Sequence, residues 1–243
     1  MHTNSSNNII RFILIQLTIL YIYFILAIYI ENLKYFTFWY LFYLWYFYCI
    51  NTLIGECFMT ENIDGDHLFD KAEDFRLESD FKKAEEHYQL ALARYIEDDN
   101  MLGRANVLRG LGELYRLEDH YDEALSYFQS AMQLYQSESH KSGQAYVSLG
   151  LGQLYRVRDD VSGAQNAYSS ALKLFKEEKD VLGEADTSVE LGRLDIADCN
   201  YKSAETYFLT AKTIFEEQSD QWGLASAVES LGELSLIKDN YSD

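Results

Sequence analysis

Three arginines, Arg76, Arg116 and Arg156, stand forty residues apart in this chain. Arginine's planar fork suits carboxylates and phosphates, so a row of them on one surface could hold an acidic segment. A plainer chemistry competes. Glu73 and Glu113 precede the first two arginines by three residues, a helical spacing that allows ion pairs of about 0.3–0.5 kcal/mol on an exposed surface. Both readings stand at this point. Other reactive groups form no pattern. The histidines His2, His67, His87, His120 and His140 are scattered. Asp119-His120 and Asp122 fall in a polar turn without the Cys/His spacing of a metal site, and Asp64-Gly65-Asp66 lacks the remaining ligands of a calcium loop. No phosphate-binding glycine loop and no Ser/His/Asp or Cys/His nucleophile set can be argued from spacing. The expectation is a non-enzymatic chain with no metal and no cofactor.

The elements that would position the arginines repeat with the same interval. Leu111-Gly112, Leu151-Gly152, Leu191-Gly192 and Leu231-Gly232 recur in register, as do Gly103, Gly143, Gly183 and Gly223. So do Ala84, Ala124, Ala164 and Ala204, each followed four residues later by an aromatic: Tyr88, Phe128, Tyr168, Phe208. A further alanine follows in each unit: Ala91, Ala131, Ala171, Ala211. Self-similarity at this period signals stacked units, each too small to bury its apolar face alone. Within one unit, Ala105, Leu108, Leu111, Gly112 and Tyr115 lie at three- and four-residue steps, which predicts an amphipathic helix over 102–118. Ala124, Phe128, Ala131, Leu134 and Tyr135 predict a second over 121–137. Small residues at 112, 124 and 131 would let paired helices approach closely, while Tyr115 and Phe128 fill the space between units.

These residues resemble the tetratricopeptide repeat motif: Ala105, Leu111-Gly112, Tyr115, Ala124, Phe128 and Ala131, then Ala145, Leu151-Gly152, Tyr155, Ala164, Tyr168 and Ala171. The resemblance covers about residues 63–243. It implies an all-α, helix-turn-helix solenoid coiled into a right-handed superhelix. The family's usual unit is shorter, and the six extra residues here are expected in linkers such as 138–142 and 178–182. The longer unit is similar to repeats of the Pins/LGN polarity scaffolds and of fungal signalling proteins. The first unit is degenerate, with Ala72 in place of Gly and Phe75 in place of Tyr, and Asp195 displaces the aromatic in the fourth. A last helix, 223–238, carries the full motif before the chain stops at Asp243. It is expected either to cap the stack or to mark a fragment, with an uncovered 234–237 surface.

The resemblance further implies that the first helix of each pair lines a concave groove. Carried over, the groove residues are Arg76, Asn106, Arg109, Glu113, Arg116, Tyr146, Gln153, Arg156, Glu190 and Arg193. Phe69, Leu149, Asp186, Val189, Glu229 and Glu233 extend the row. The implied function is a scaffold that binds a peptide or helix, with an acidic ligand segment expected from the arginines. The asparagine that Pins/LGN scaffolds place before Leu-Gly is replaced by Gly110, Gly150, Glu190 and Ser230, and no chaperone-type carboxylate clamp is recognisable. Neither partner class is inherited. The alternative is a sensor or autoinhibitory tail of a larger NTPase or kinase.

Charge divides the chain. Residues 1–60 hold only Arg11, Lys34, Glu31 and Glu56, so the rest carries the whole net charge of −19. Such acidity excludes the basic footprint that nucleic-acid binding needs. Cys49, Cys57 and Cys199 fit neither a disulfide framework nor a zinc pattern, which favours a reduced, cytosolic setting for the repeats. After a polar tail (1–8), residues 9–58 read as a transmembrane hairpin with spans at about 9–30 and 35–55. The first would extend roughly 33 Å as a helix, enough to cross a hydrocarbon core. The second is unusual, with eleven aromatics among residues 35–48, whereas Tyr and Trp prefer the interface. A non-coding stretch with a true start near Met59 competes with the hairpin. The chain is therefore expected at a membrane with its repeats in the cytosol, or soluble from Met59. Oligomeric state is left open.

Overall fold

The structure, a computed structural model, describes residues 64–240. The hairpin expected at 9–58 lies outside them. Among the described residues no helix is long and apolar enough to cross a membrane.

Those residues form nine α-helices: α1 (Gly65–Leu77), α2 (Phe81–Glu97), α3 (Met101–Leu117), α4 (Tyr121–Ser137), α5 (Lys141–Val157), α6 (Val161–Glu178), α7 (Val181–Ala197), α8 (Tyr201–Gln218) and α9 (Gln221–Asn240). Odd helices pair with the even helix that follows, α9 packs on α8 and α7, and neighbouring odd helices touch along the stack. The result is the expected all-α, helix-turn-helix solenoid.

The turns correct one expectation. Connections between units are no longer than those within them: α4 ends at Ser137 and α5 begins at Lys141, with α6 and α7 separated by two residues. The six extra residues therefore lie in helices of 17 and 18 residues rather than in linkers. Every turn is built alike, at twenty-residue intervals. Ser79, Asp99, Asp119, Ser139, Asp159, Lys179, Cys199 and Ser219 all take the left-handed conformation, with φ between 53° and 63°. The next residue donates its N–H back to the closing turn of the preceding helix, as from Asn100 to Tyr95 O (2.9 Å) and from Asp160 to Tyr155 O (2.9 Å). This Schellman arrangement satisfies carbonyls that a helix end would otherwise leave unpaired. That same residue also caps the following helix. Asn100 accepts from Gly103 N at 2.8 Å, and Asp160 and Asp180 accept from Gly163 N and Gly183 N at 2.9 Å. In these turns one residue closes the preceding helix through its backbone N–H and starts the next through its side chain.

The core is the alanine–aromatic ladder of the even helices. Tyr88, Tyr95, Phe128, Tyr135, Tyr168, Phe175, Phe208 and Phe215 are all buried, each ring removing apolar surface worth about 1.5–3 kcal/mol. Glycines on the odd helices make room for them. A Cβ at Gly112, Gly152 or Gly192 would lie 2.8, 2.4 or 2.5 Å from the ring of Phe128, Tyr168 or Phe208. The first glycine of each unit does the same for the preceding unit, Gly143 facing Tyr135 and Gly183 facing Phe175. Each aromatic thus locks two helices in register. Leu234, expected to be uncovered, is buried. The exposed apolar residue of that segment is Leu236.

Candidate functional site

The odd helices carry a row of polar side chains, and the packing of each unit decides which are spent internally. At the start of the row, Arg76 Nη2 lies 2.5 Å from Glu73, and the Tyr88 hydroxyl donates to the other oxygen of that carboxylate. One unit on, Arg116 donates through Nε (3.0 Å) and Nη2 (2.8 Å) to Glu113 Oε2. Both pairs are largely buried. The arginine row is therefore paired within the chain, and the plainer of the two sequence readings holds for Arg76 and Arg116. Arg156 differs. Its side chain is 39 % exposed and its nearest carboxylate, Glu190, belongs to the next unit at 3.4 Å.

Glu190 is the hub of the third and fourth units. Its side chain is only 9 % exposed, and it gathers Arg193 Nη1 (3.0 Å), the Tyr168 hydroxyl (3.2 Å) and Gln153 Nε2 (3.4 Å) as donors. Arg193 reaches on to Ser226 Oγ on α9 at 3.1 Å. Burial raises the Tyr168 hydroxyl above its ordinary range, with the Glu190 charge adding to it. Sequence-predicted residues on two helices, Gln153 and Arg156 on α5 and Arg193 on α7, thus meet around one carboxylate, joined by the unpredicted Tyr168 hydroxyl.

A second grouping joins α3 to α5 and α5 to α7. The Arg109 guanidinium sits 5.9 Å from the centre of the Tyr146 ring, a cation–π approach. The Tyr146 hydroxyl donates to Asp180 Oδ2 at 2.9 Å, and its ring meets Phe175 edge-on. Burial, with Asp180 as acceptor, pushes that hydroxyl up to about 12. Asn106 Oδ1 accepts from the Tyr135 hydroxyl at 2.5 Å.

Asp186 has the most perturbed carboxyl of the row. It occupies the register of Asp66 and Asn106, which accept from Tyr95 (2.5 Å) and Tyr135. The ring equivalent to those tyrosines is Phe215, which has no hydroxyl. Asp186 is exposed on the surface of α7. Desolvation, then the charges of Asp220, Glu190 and Asp180, push its carboxyl up to about 6.

Other predicted positions are core. Val189 is 4 % exposed among Ala185 and Phe208, while Phe69 and Leu149 pack against buried clusters. What sequence reasoning missed is the tyrosine hydroxyls, read as packing alone. Their signal is the alternation itself: Tyr at 95 and 135 faces acceptors at 66 and 106, whereas Phe175 faces Tyr146. Glu85 is half-buried and accepts from the Tyr115 hydroxyl at 2.7 Å. Asp119 and Asp122 are engaged by Tyr121 (2.7 Å) and Arg158 (3.1 Å). Among the described residues no group of three or more His, Cys, Asp or Glu is placed to hold a metal ion. A cavity of about 490 Å³ between α6 and α8 is lined by Leu172, Lys173, Lys176, Leu191 and Tyr207, and no predicted groove residue borders it.

Residues 66–137 match the tetratricopeptide repeat family. Solved structures share the fold. A Rap protein complexed with Competence and Sporulation Factor superposes with a TM-score of 0.66 at 20 % identity, over 74 % of this chain and 52 % of that one. The apo form of RapI gives 0.59 at 16 % identity, over 78 % and 54 %. BtubC from P. vanneervenii gives 0.52 at 16 % identity, over 73 % and 82 %. The chain spans about half the length of the two Rap structures. At these identities the likeness is one of fold. A search of curated proteins finds no match.

Proposed function

We propose that this tetratricopeptide repeat protein is a non-enzymatic scaffold that holds a peptide or helix of a partner protein against the row of side chains on α3, α5 and α7. The observation that carries the reading is the mixed, prepositioned surface around Tyr146, Gln153, Arg156 and Glu190. These side chains come from successive repeats yet are fixed by bonds between repeats, which is the preorganisation that lowers the entropic cost of binding. Because Arg76, Arg116 and Arg193 are paired with glutamates three residues before them, an acidic ligand segment would be read at Arg109 and at the half-exposed Arg156. Asp186 and its acidic neighbours would favour a basic group beside it. The ligand that fits best is therefore amphoteric, its acid toward α3–α5 and its base toward α7. The Rap protein of similar fold is complexed with Competence and Sporulation Factor, which supports a bound partner here by analogy. Tethering to a membrane through residues 9–55 is part of the proposal and rests on the apolar sequence there.

The test is selection of displayed twelve-residue random peptides on the full chain, followed by binding to a Tyr146→Ala/Gln153→Ala variant. Enriched peptides should lose most of their affinity for that variant and keep it for Lys173→Ala, on α6. No enrichment, or binding indifferent to Tyr146 and Gln153, would overturn the reading.

A further inference from the structure

In the fourth unit an aromatic side chain has lost the partner that its counterparts keep. In the first unit Phe75 on α1 faces His87 on α2 with ring centres 4.9 Å apart, and in the second Tyr115 on α3 stacks on Tyr127 of α4 at 5.2 Å. The fourth unit retains the ring of the even helix, Tyr207 on α8, but carries Asp195 on α7 where Phe75 and Tyr115 stand. A carboxylate neither fills that space nor stacks. Asp195 Oδ2 is instead buried without a hydrogen-bond partner, a cost that a ring there would not incur. Beside Tyr207 a cavity of about 490 Å³ opens between α6 and α8, with Leu191 and Leu172 among its lining. Leu191 is only 2 % exposed and forms an apolar floor. The volume lies in the range of small-molecule sites.

The rim of this cavity is unlike the matching positions elsewhere. Here α6 presents Lys173 and Lys176, where α2 has Ala93 and Ile96 and α4 has Gln133 and Gln136 in the same register. The carboxylate at the rim, Glu177, is held by Lys141 at 2.9 Å. Lys176 lies 3.4 Å from Glu184 in a partly exposed pair, and Lys173 has no carboxylate within ion-pair reach among the described residues. In a chain of net charge −19, two lysines above an apolar floor mark a place for a negative group. We propose that this cavity binds a small aromatic carboxylic acid, its ring stacked on Tyr207 in place of the missing side chain and its carboxylate held by Lys173 and Lys176. None of the predicted groove residues borders the cavity, so this site is separate from the peptide groove and does not rest on it.

The probe is 2-naphthoate, titrated against the full chain and followed by saturation-transfer difference NMR. Its comparators are 2-naphthamide, the same ring without charge, and cyclohexanecarboxylate, the charge without an aromatic ring. 2-Naphthoate should bind saturably, and each comparator about tenfold more weakly or worse. A Lys173→Ala/Lys176→Ala chain should lose about tenfold or more in affinity for the acid and nothing for the amide. Asp195→Tyr restores the ring that the second and third units carry. It should abolish binding while circular dichroism and urea unfolding show a chain as helical and at least as stable as the parent, because no buried carboxylate is left unpaired. Should that variant fail to fold, the lysine variant decides alone, since both of its side chains are exposed. A Tyr146→Ala/Gln153→Ala chain should bind the acid like the parent. Absence of saturable binding, an amide that binds as tightly as the acid, or binding that survives in the lysine variant or in folded Asp195→Tyr would overturn the proposal. So would loss of binding in the Tyr146→Ala/Gln153→Ala chain, since the acid would then occupy the groove.

Discussion

Replacing Glu190 with alanine removes the one acceptor shared by Tyr168, Arg193, Gln153 and Arg156. Removing one partner of a fully buried ion pair costs about 3–5 kcal/mol. Here the arginines are 39 % and 32 % exposed and recover much of their solvation, so their share falls to about 1 kcal/mol. The Tyr168 hydroxyl is buried and stays unpaired, adding about 1–2 kcal/mol. Alanine costs nothing in helix propensity. The expected loss is therefore about 2–3 kcal/mol in urea unfolding followed by circular dichroism, or roughly 5–10 °C in Tm for a domain of this size. The cycle with Tyr168→Phe isolates the hydroxyl. Alone, that change should cost about 1 kcal/mol, whereas on the Glu190→Ala background it should regain about 1 kcal/mol by removing the unpaired hydroxyl, leaving a coupling near 2 kcal/mol. Additive losses would refute the hub, as would a Glu190→Ala chain as stable as the parent.

Asp186→Asn should stabilise the chain at neutral pH. A carboxyl whose folded value is raised from 3.8 to about 6 binds its proton more tightly in the folded state. Stability therefore falls as pH rises across that window, and the penalty is complete above it. With the side chain exposed, screening cuts the gain to about 1 kcal/mol, measured as a urea midpoint at pH 7.5 that converges with the parent's near pH 4. At the turns, Asp159→Gly and Ser139→Gly relieve left-handed backbone that a Cβ disfavours, and each should raise stability by about 0.5–1 kcal/mol in the same assay. Alkaline carbonate extraction should leave the full chain with membranes and release one lacking residues 1–58. Release of the full chain would remove the tether from the account.

The periodicity that made the stack legible is a consequence of packing. Each Leu-Gly and each Ala-x3-aromatic recurs because one ring must fit one gap, so the helix pairs could be read from Gly112 and Phe128 alone. The turns were harder. Asp, Asn and His at 80, 100, 120, 140, 160, 180, 200 and 220 mark a twenty-residue period that the forty-residue repeat conceals, and reading it would have placed the extra residues in the helices. The candidate site was legible as positions but not as states. Spacing placed Arg76, Arg116 and Arg156 in one register, and it hinted at Glu73 and Glu113. It could not show that Arg156 turns to Glu190 in the next unit, because that partner is set by inter-repeat geometry. Val189 looked like a groove residue for the same reason. A helix-face offset does not say where the next helix lies.

The central claim is most directly tested by finding where a bound peptide lies. A peptide selected on the full chain, carrying a photoreactive benzophenone at its centre, would be cross-linked and the adducts mapped by mass spectrometry. The account predicts adducts on α5 and α7, around Tyr146, Gln153 and Asp186. Adducts confined to α6 and α8, around Lys173 and Tyr207, would contradict it.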